Sequence, residues 1–256
     1  GEGEYALNDL CDSLKGNEDT TGIRNLWTKK NGQIFQNPPR PPVDINTLPM
    51  QDWTIFDPRR INKPMGGKIR RVGCFELDRG CPYSCSYCCN DFWHKFYENR
   101  NYRRKDLERF IEEVRTMKEN HDLNYVYLAS ETFLASPQER FDRFIELWKS
   151  EIGIPFWVQT RPETITEYKV KRLKEVGVHS IGVGVESGSP EMRKRLNRIM
   201  TNDQIINAFE ILNRYGLRTG INVIIGFPEE TREQIFETID LVRQLNASNI
   251  MTHVFN

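Results

Sequence analysis

At 256 residues, with 38% hydrophobic and 28% charged side chains, the chain has a globular composition and the length of one large domain or a domain and a half. Its 36 basic residues balance 36 acidic ones, which removes any whole-protein electrostatic argument for nucleic acid or an anionic membrane surface. No apolar run exceeds a few residues (Val223 to Ile225, then Gly226-Phe227, is one), far short of the roughly 20 residues that cross a bilayer.

The chain opens Gly-Glu-Gly-Glu with no initiator Met and no apolar leader, so export is not indicated, and it stops at Asn256 inside an expected strand. A piece of a longer protein is expected. Residues 1–20 read as a short helix (Tyr5, Ala6, Leu7, Leu10, Leu14) ending at Gly16. Asn25 to Gln36 reads as a hairpin turning at Asn31-Gly32. Asn37-Pro38-Pro39-Arg40-Pro41-Pro42 permits neither helix nor inner strand and predicts a stiff linker. Residues 43–70, with Pro49, Pro58, Pro64 and Gly66-Gly67, are expected to stay irregular, which puts a boundary near residue 70: 1–70 a linker region following an absent upstream domain, 71–256 the main domain.

Beyond that point the pattern is regular. Strand-like runs at 72–77, 125–129, 155–160, 180–185, 220–225 and 249–254 alternate with amphipathic helices at about 105–119, 137–150, 167–176, 202–215 and 231–245. Ser136-Pro137 reads as an N-cap followed by proline at the first helical position, and Gly177 and Gly216 as helix stops. Alternation of this kind implies right-handed crossovers and a parallel sheet, either open and doubly wound or a curved, incomplete barrel. Both put the active site at the C-terminal ends of the strands.

After the first strand comes Cys81-Pro82-Tyr83-Ser84-Cys85-Ser86-Tyr87-Cys88, followed by Cys89. A disulfide scaffold spreads its cysteines to close long loops. Crowding them in one turn instead brings several thiolates to a metal or cluster. Three thiolates suit a cubane with one iron left open, whereas structural zinc wants a fourth ligand, for which Cys89 and His94 are the candidates. Cys11 and Cys74 read as small buried hydrophobes. The run Phe92 to Arg104 is aromatic and basic, fitting a surface loop or a face for a substrate or an electron-donor protein.

The C-x3-C-x2-C spacing, with the aromatic Tyr87 before its last cysteine, resembles the radical S-adenosylmethionine (SAM) enzymes. The resemblance covers about residues 71–256 and implies a partial (β/α)6, TIM-like barrel of the α/β class. It further implies a 4Fe–4S cluster on Cys81, Cys85 and Cys88 whose open iron chelates SAM, and reductive cleavage of SAM to a 5′-deoxyadenosyl radical. The site residues it implies lie after the other strands. Ser130 and Glu131 stand where the family has Gly-Gly-Glu, although Ala129-Ser130 replaces the two glycines. Arg161 is expected on the SAM carboxylate, on an acidic substrate group or on Glu186. Glu186 and Ser187 resemble the ribose- and carboxylate-binding pair, below which Gly182 and Gly184 leave room for a ligand. Ile224, Gly226 and Pro228 match the adenine motif, with Asn222 in place of its first glycine. In the helix from Pro190 to Arg198 the basic run reads as a solvated face, with Arg193, Asn197 and Arg198 as candidates for ligand contact; His253 reads as a strand histidine or a residue of the barrel mouth.

The N-terminal Gly-Glu-Gly-Glu, Gly22 to Trp27 and Leu48 to Trp53 are similar to the segment that follows a cobalamin domain in one subclass, often methyltransferases and sometimes cyclases. No D-x-H-x-x-G motif occurs, so cobalamin is allowed by the resemblance in the full-length protein and unreadable in this chain. Also left open are a cobalamin-independent hydrogen-abstracting enzyme and a non-catalytic metal-stabilised module. A flavodoxin- or ferredoxin-type donor and a cytoplasmic site follow from the implied cluster.

Overall fold

The computed structural model describes residues 2–255; Gly1, the first residue of the Gly-Glu-Gly-Glu run, and Asn256 lie outside the described residues. Helix α1 (Glu4–Gly16) ends where Asn17 turns left-handed at φ 53° and returns its N–H to the last turn. Strands β1 (Trp27–Lys30) and β2 (Gln33–Gln36) form the expected hairpin, with Asn31 and Gly32 both at positive φ.

The stretch 43–70 departs from expectation at its end. Strand β3 (Asn62–Met65) turns through Gly66-Gly67, both at positive φ, and pairs antiparallel with β4 (Lys68–Glu76). Pro64 is tolerated because β3 is the outer edge of the sheet, where a missing N–H breaks no inner ladder.

Then follow β5 (Asp78–Arg79), α2 (Cys89–Phe96), β6 (Arg103–Arg104), α3 (Leu107–His121), β7 (Tyr125–Ala129), α4 (Gln138–Leu147) and β8 (Phe156–Thr160). The chain continues with α5 (Glu167–Glu175), β9 (Val178–Glu186), α6 (Pro190–Arg195), α7 (Asn202–Arg214), β10 (Arg218–Ile225), α8 (Arg232–Gln244) and β11 (Asn249–Val254). The large sheet runs β11-β10-β9-β8-β7-β4-β3, parallel throughout except for β3. It is an open, curled half-barrel, the second of the two architectures the alternation leaves open and the partial (β/α)6 core the resemblance implies, with one antiparallel edge strand added.

Local chemistry explains the helix ends. Thr201 with Gln204 and Thr231 with Gln234 form capping boxes at α7 and α8, and Gly177 and Gly216 stop α5 and α7 at positive φ. Ser136 is not the cap of α4. It closes the preceding turn, donating its N–H to Phe133, and Pro137 holds the N-cap position with extended backbone. On the helix side of the sheet, Phe75, Phe110, Phe144, Trp148 and Phe156 belong to one buried cluster. The two cysteines expected in the core are exposed: Cys11 lies on a helix whose one buried side chain is Ala6, and Cys74 alternates with Phe75 and so faces the inner surface of the sheet. Among the described residues no helix is long and apolar enough to cross a membrane.

Candidate functional site

The cysteine loop leaves β5 through Gly80, at φ 82°, where a Cβ would approach the Asn101 carbonyl oxygen to 2.5 Å. Cys81 and Cys85 are buried and Cys88 half-buried, and all three line one cavity of about 230 Å³ at the C-terminal ends of the parallel strands. The Cys81 sulfur lies 3.6 Å from Thr132 Oγ1. Cys88 is the N-cap of α2, accepting from the Asn90 backbone N–H at 3.5 Å. The Cys85 sulfur accepts from Arg161 Nη1 at 3.3 Å and Arg198 Nη1 at 3.6 Å. Burial pushes the Cys81 and Cys88 thiols above their ordinary value, so a bound cation is what would hold them as thiolates.

The two candidate fourth ligands turn elsewhere. Cys89 is exposed and lines a neighbouring cavity with Arg79 and Trp93, and the His94 ring meets the Tyr83 carbonyl through Nε2 at 3.3 Å. Among the described residues no three His, Cys, Asp or Glu side chains stand close enough together to hold one metal ion. A cubane takes each thiolate on a different iron, so three sulfurs around a shared cavity fit it without meeting at a point.

Tyr87 of the cysteine loop lines this cavity, and so do Glu131, Arg161 and Glu186 from the other strand ends. Glu131, exposed at the rim of the cavity, accepts from Gln159 Nε2 at 3.4 Å, and partial loss of hydration there raises its carboxyl above the usual range. Arg161 pairs with Glu163 (2.6 Å) rather than with Glu186, and its guanidinium stacks 3.8 Å from the centre of the Tyr83 ring. Glu186 takes φ 68°, an uncommon conformation for a side chain of its size, at a bulge where the pairing of β9 with β10 slips by one residue. Burial raises its carboxyl, against the opposing pull of Arg198. Ile224 and Gly226 do not line the cavity: Ile224, like Tyr87, packs against the cluster of Met192, Leu196 and Phe227, and Gly226, at φ 81°, donates its N–H to Glu230 at 2.6 Å.

Ser130 and Ser187 are not brought to the cavity. Ser130 Oγ donates to buried Asp78 (2.9 Å), and Ser187 is fully buried with its hydroxyl against Thr238 (3.3 Å) and the Ser189 N–H (3.2 Å). The room expected above Gly182 is taken by the Trp157 ring, 2.6 Å from where a Cβ would stand. The basic face of α6 is not all solvated either. Arg193 is buried, tying together Ser187 O, Met200 O and Asn202 Oδ1, and Asn197 Nδ2 donates to Ser84 O in the cysteine loop. In the loop after α2, Lys105 is buried against Glu113 (2.6 Å) and Arg103 pairs with Glu2, so these two bases hold structure together.

Asn90, Gln159, Thr160, Gly184 and Asn222 also line the cavity, as do His253 and Arg198. Asn222, without an assigned purpose in the sequence, lies 3.5 Å from His253 Nε2 across neighbouring strands. The period-two alternation that puts Gln159 and Asn222 on the same inner face as Gly182 and Gly184 is the signal by which sequence could have found them.

A family model described as the Radical SAM superfamily matches residues 76–242. The chain is 28% identical over 247 residues to an uncharacterised methyltransferase of Pyrococcus horikoshii, covering 96% of this chain and 52% of that protein. It is 25% identical over 254 residues to the anaerobic magnesium-protoporphyrin IX monomethyl ester cyclase of Rubrivivax gelatinosus, covering 96% of this chain and 44% of that one. It therefore spans about half the length of the curated relatives it matches. Its fold is shared by solved structures of cobalamin-binding radical SAM enzymes, two of which serve for comparison. The cobalamin-dependent SAM radical enzyme OxsB, with aqua-cobalamin and SAM bound, superposes with a TM-score of 0.73 at 22% identity, over 99% of this chain and 36% of that one. The radical SAM methyltransferase TsrM of Kitasatospora setae, with cobalamin and a 4Fe–4S cluster bound, gives 0.69 at 18% identity, over 99% and 50%. The family match runs from the end of the first parallel strand into the last helix, and the chain belongs to the radical SAM superfamily.

Proposed function

We propose that Cys81, Cys85 and Cys88 hold a 4Fe–4S cluster and that the cavity beside them binds SAM, making this chain the catalytic core of a cobalamin-dependent methyltransferase or cyclase. Bound there, the cluster would supply the electron that splits SAM into methionine and a 5′-deoxyadenosyl radical. The chain's own residues bind and orient. Glu131 accepts from the SAM ammonium, Arg161 takes its carboxylate, and Glu186 accepts from the ribose hydroxyls. Tyr87 and Ile224 pack on the nucleoside, and Gly226 shapes the turn beneath it. Ser130 and Ser187 support the site from behind, through Asp78 and Thr238. Residues 1–70 serve as the segment linking an upstream cobalamin domain to the core at 71–256. In support, Arg79 beside the cysteine loop pairs with both Glu2 (3.4 Å) and Glu4 (2.7 Å).

The observation that carries this reading is three cysteines on one cavity with a carboxylate from each of two other strand ends and a guanidinium from a third. The methyltransferase or cyclase assignment is supported by the similarity to an uncharacterised methyltransferase and to a cyclase. Anaerobic reconstitution of the full-length protein with iron and sulfide tests the proposal. The expected result is a brown protein that releases 5′-deoxyadenosine when given SAM and a strong reductant. A colourless protein holding one zinc contradicts it. Cleavage by a full-length protein that binds no cobalamin would instead favour direct hydrogen abstraction.

A further inference from the structure

We propose that Arg198, together with Arg161, tunes the cluster electronically by donating N–H bonds to the Cys85 sulfur, holding its reduction potential higher than the cavity would otherwise allow. This inference rests on the cluster assignment above and adds to it a role for a residue the SAM contacts do not use.

The geometry is specific to one of the three sulfurs. Cys81 has a hydroxyl beside it and Cys88 an amide, whereas Cys85 faces two guanidinium groups at 3.3 and 3.6 Å. Both arginines are out of water, Arg161 at 7% and Arg198 at 3% exposed, so their charges act in a poorly screened environment. Arg198 is also pre-set. It follows Asn197, left-handed at φ 54°, its backbone N–H returns to Arg193 O at 2.8 Å, and its Nη2 donates to Gly184 O. Arg193 locks the same turn through its three buried hydrogen bonds. An arginine held in this way does not reorganise when charge appears beside it.

Reduction adds one electron from a low-potential donor, taking the oxidised 4Fe–4S core from 2+ to 1+, and part of the added charge spreads onto the thiolate sulfurs. Hydrogen bonds to those sulfurs and nearby fixed cations stabilise the more negative state, which raises the potential. Arg161 shares its charge with Glu163 at 2.6 Å, and Arg198 sits beside Glu186, so neither is a bare cation; the directed N–H bonds to sulfur are what distinguish Cys85.

The test is an anaerobic potentiometric titration, followed by electron paramagnetic resonance, of the full-length reconstituted protein and its Arg198→Gln and Arg198→Lys variants. At a fixed poise near the wild-type midpoint, Arg198→Gln should lower the ratio of reduced to oxidised cluster about tenfold, equivalent to about 59 mV for a one-electron couple. Arg198→Lys, which keeps the charge without the fork, should fall between. A variant loaded with about four irons per chain and showing the wild-type midpoint overturns the inference. Should Arg198→Gln not load iron, wild-type protein grown with guanidino-¹⁵N arginine answers instead: the reduced cluster should show a ¹⁵N hyperfine coupling, and its absence overturns the inference. A wild-type protein that binds no four-iron cluster defeats the proposed function itself, a result distinct from a normal cluster with an unmoved potential.

Discussion

The inner face of the half-barrel has two halves built from the same strands, and they are held by different forces. Toward the N-terminal ends lies an aromatic floor: Tyr127 stacks on Trp157 at 4.3 Å, Trp157 covers Gly182, and Tyr125 hydrogen-bonds His179 at 3.0 Å. Two to four residues further along the strands the surface becomes Gln159, Gly184, Glu186 and Asn222, a polar cavity roofed by the cysteine loop. The floor is packing, in which a glycine exists because a ring needs its space. The mouth gathers ionisable groups whose burial is offset by pairing, Arg161 with Glu163 and Arg198 beside Glu186. A cavity of ionisable groups is thus mounted on a packed aromatic base, and changes in the two halves should separate activity from stability.

The largest expected effect is at the mouth. Cys85→Ala should abolish both bound iron and 5′-deoxyadenosine release while leaving the unfolding midpoint of the iron-free protein close to wild type, measured by iron analysis, product chromatography and denaturant titration. Loss of folding with activity would break the contrast. At the floor, Gly182→Val should do the reverse, forcing the Trp157 ring off its place at a cost of about 1–3 kcal/mol in denaturant unfolding while the cysteine loop still loads iron.

A smaller effect follows from Glu131. Partial loss of hydration at the cavity rim raises its carboxyl, and the ionised form is the one that accepts from an ammonium, so SAM affinity should be full above that raised value and fall as pH drops through it. Glu131→Gln should bind more weakly near neutral pH and flatten the profile, as titration calorimetry would read. An unchanged profile would remove Glu131 from the ammonium. Smallest of all, Cys89→Ala should leave the cluster spectrum intact, because Cys89 faces the neighbouring cavity.

The strand and helix positions, and the loop that carries the cysteines, were readable because period and spacing report them directly. Which side chains face the cavity was less so. At the end of β9 the bulge shifts the register by one residue, so Glu186 enters the cavity and Ser187 turns to Thr238, a choice that depends on the neighbouring strand β10. Ser130 is drawn away by Asp78, a partner 52 positions distant. The β3 hairpin was hidden because Pro64 reads as a strand breaker until the strand is known to be an edge.

The central claim is that three sulfurs of one short loop carry an iron–sulfur centre with a vacancy for SAM. The most direct measurement is the electron paramagnetic resonance of the reduced full-length protein before and after SAM is added. The expected result is an iron–sulfur signal that shifts with SAM in the wild type and is missing in Cys85→Ala. A signal that ignores SAM, or that survives without Cys85, would contradict it.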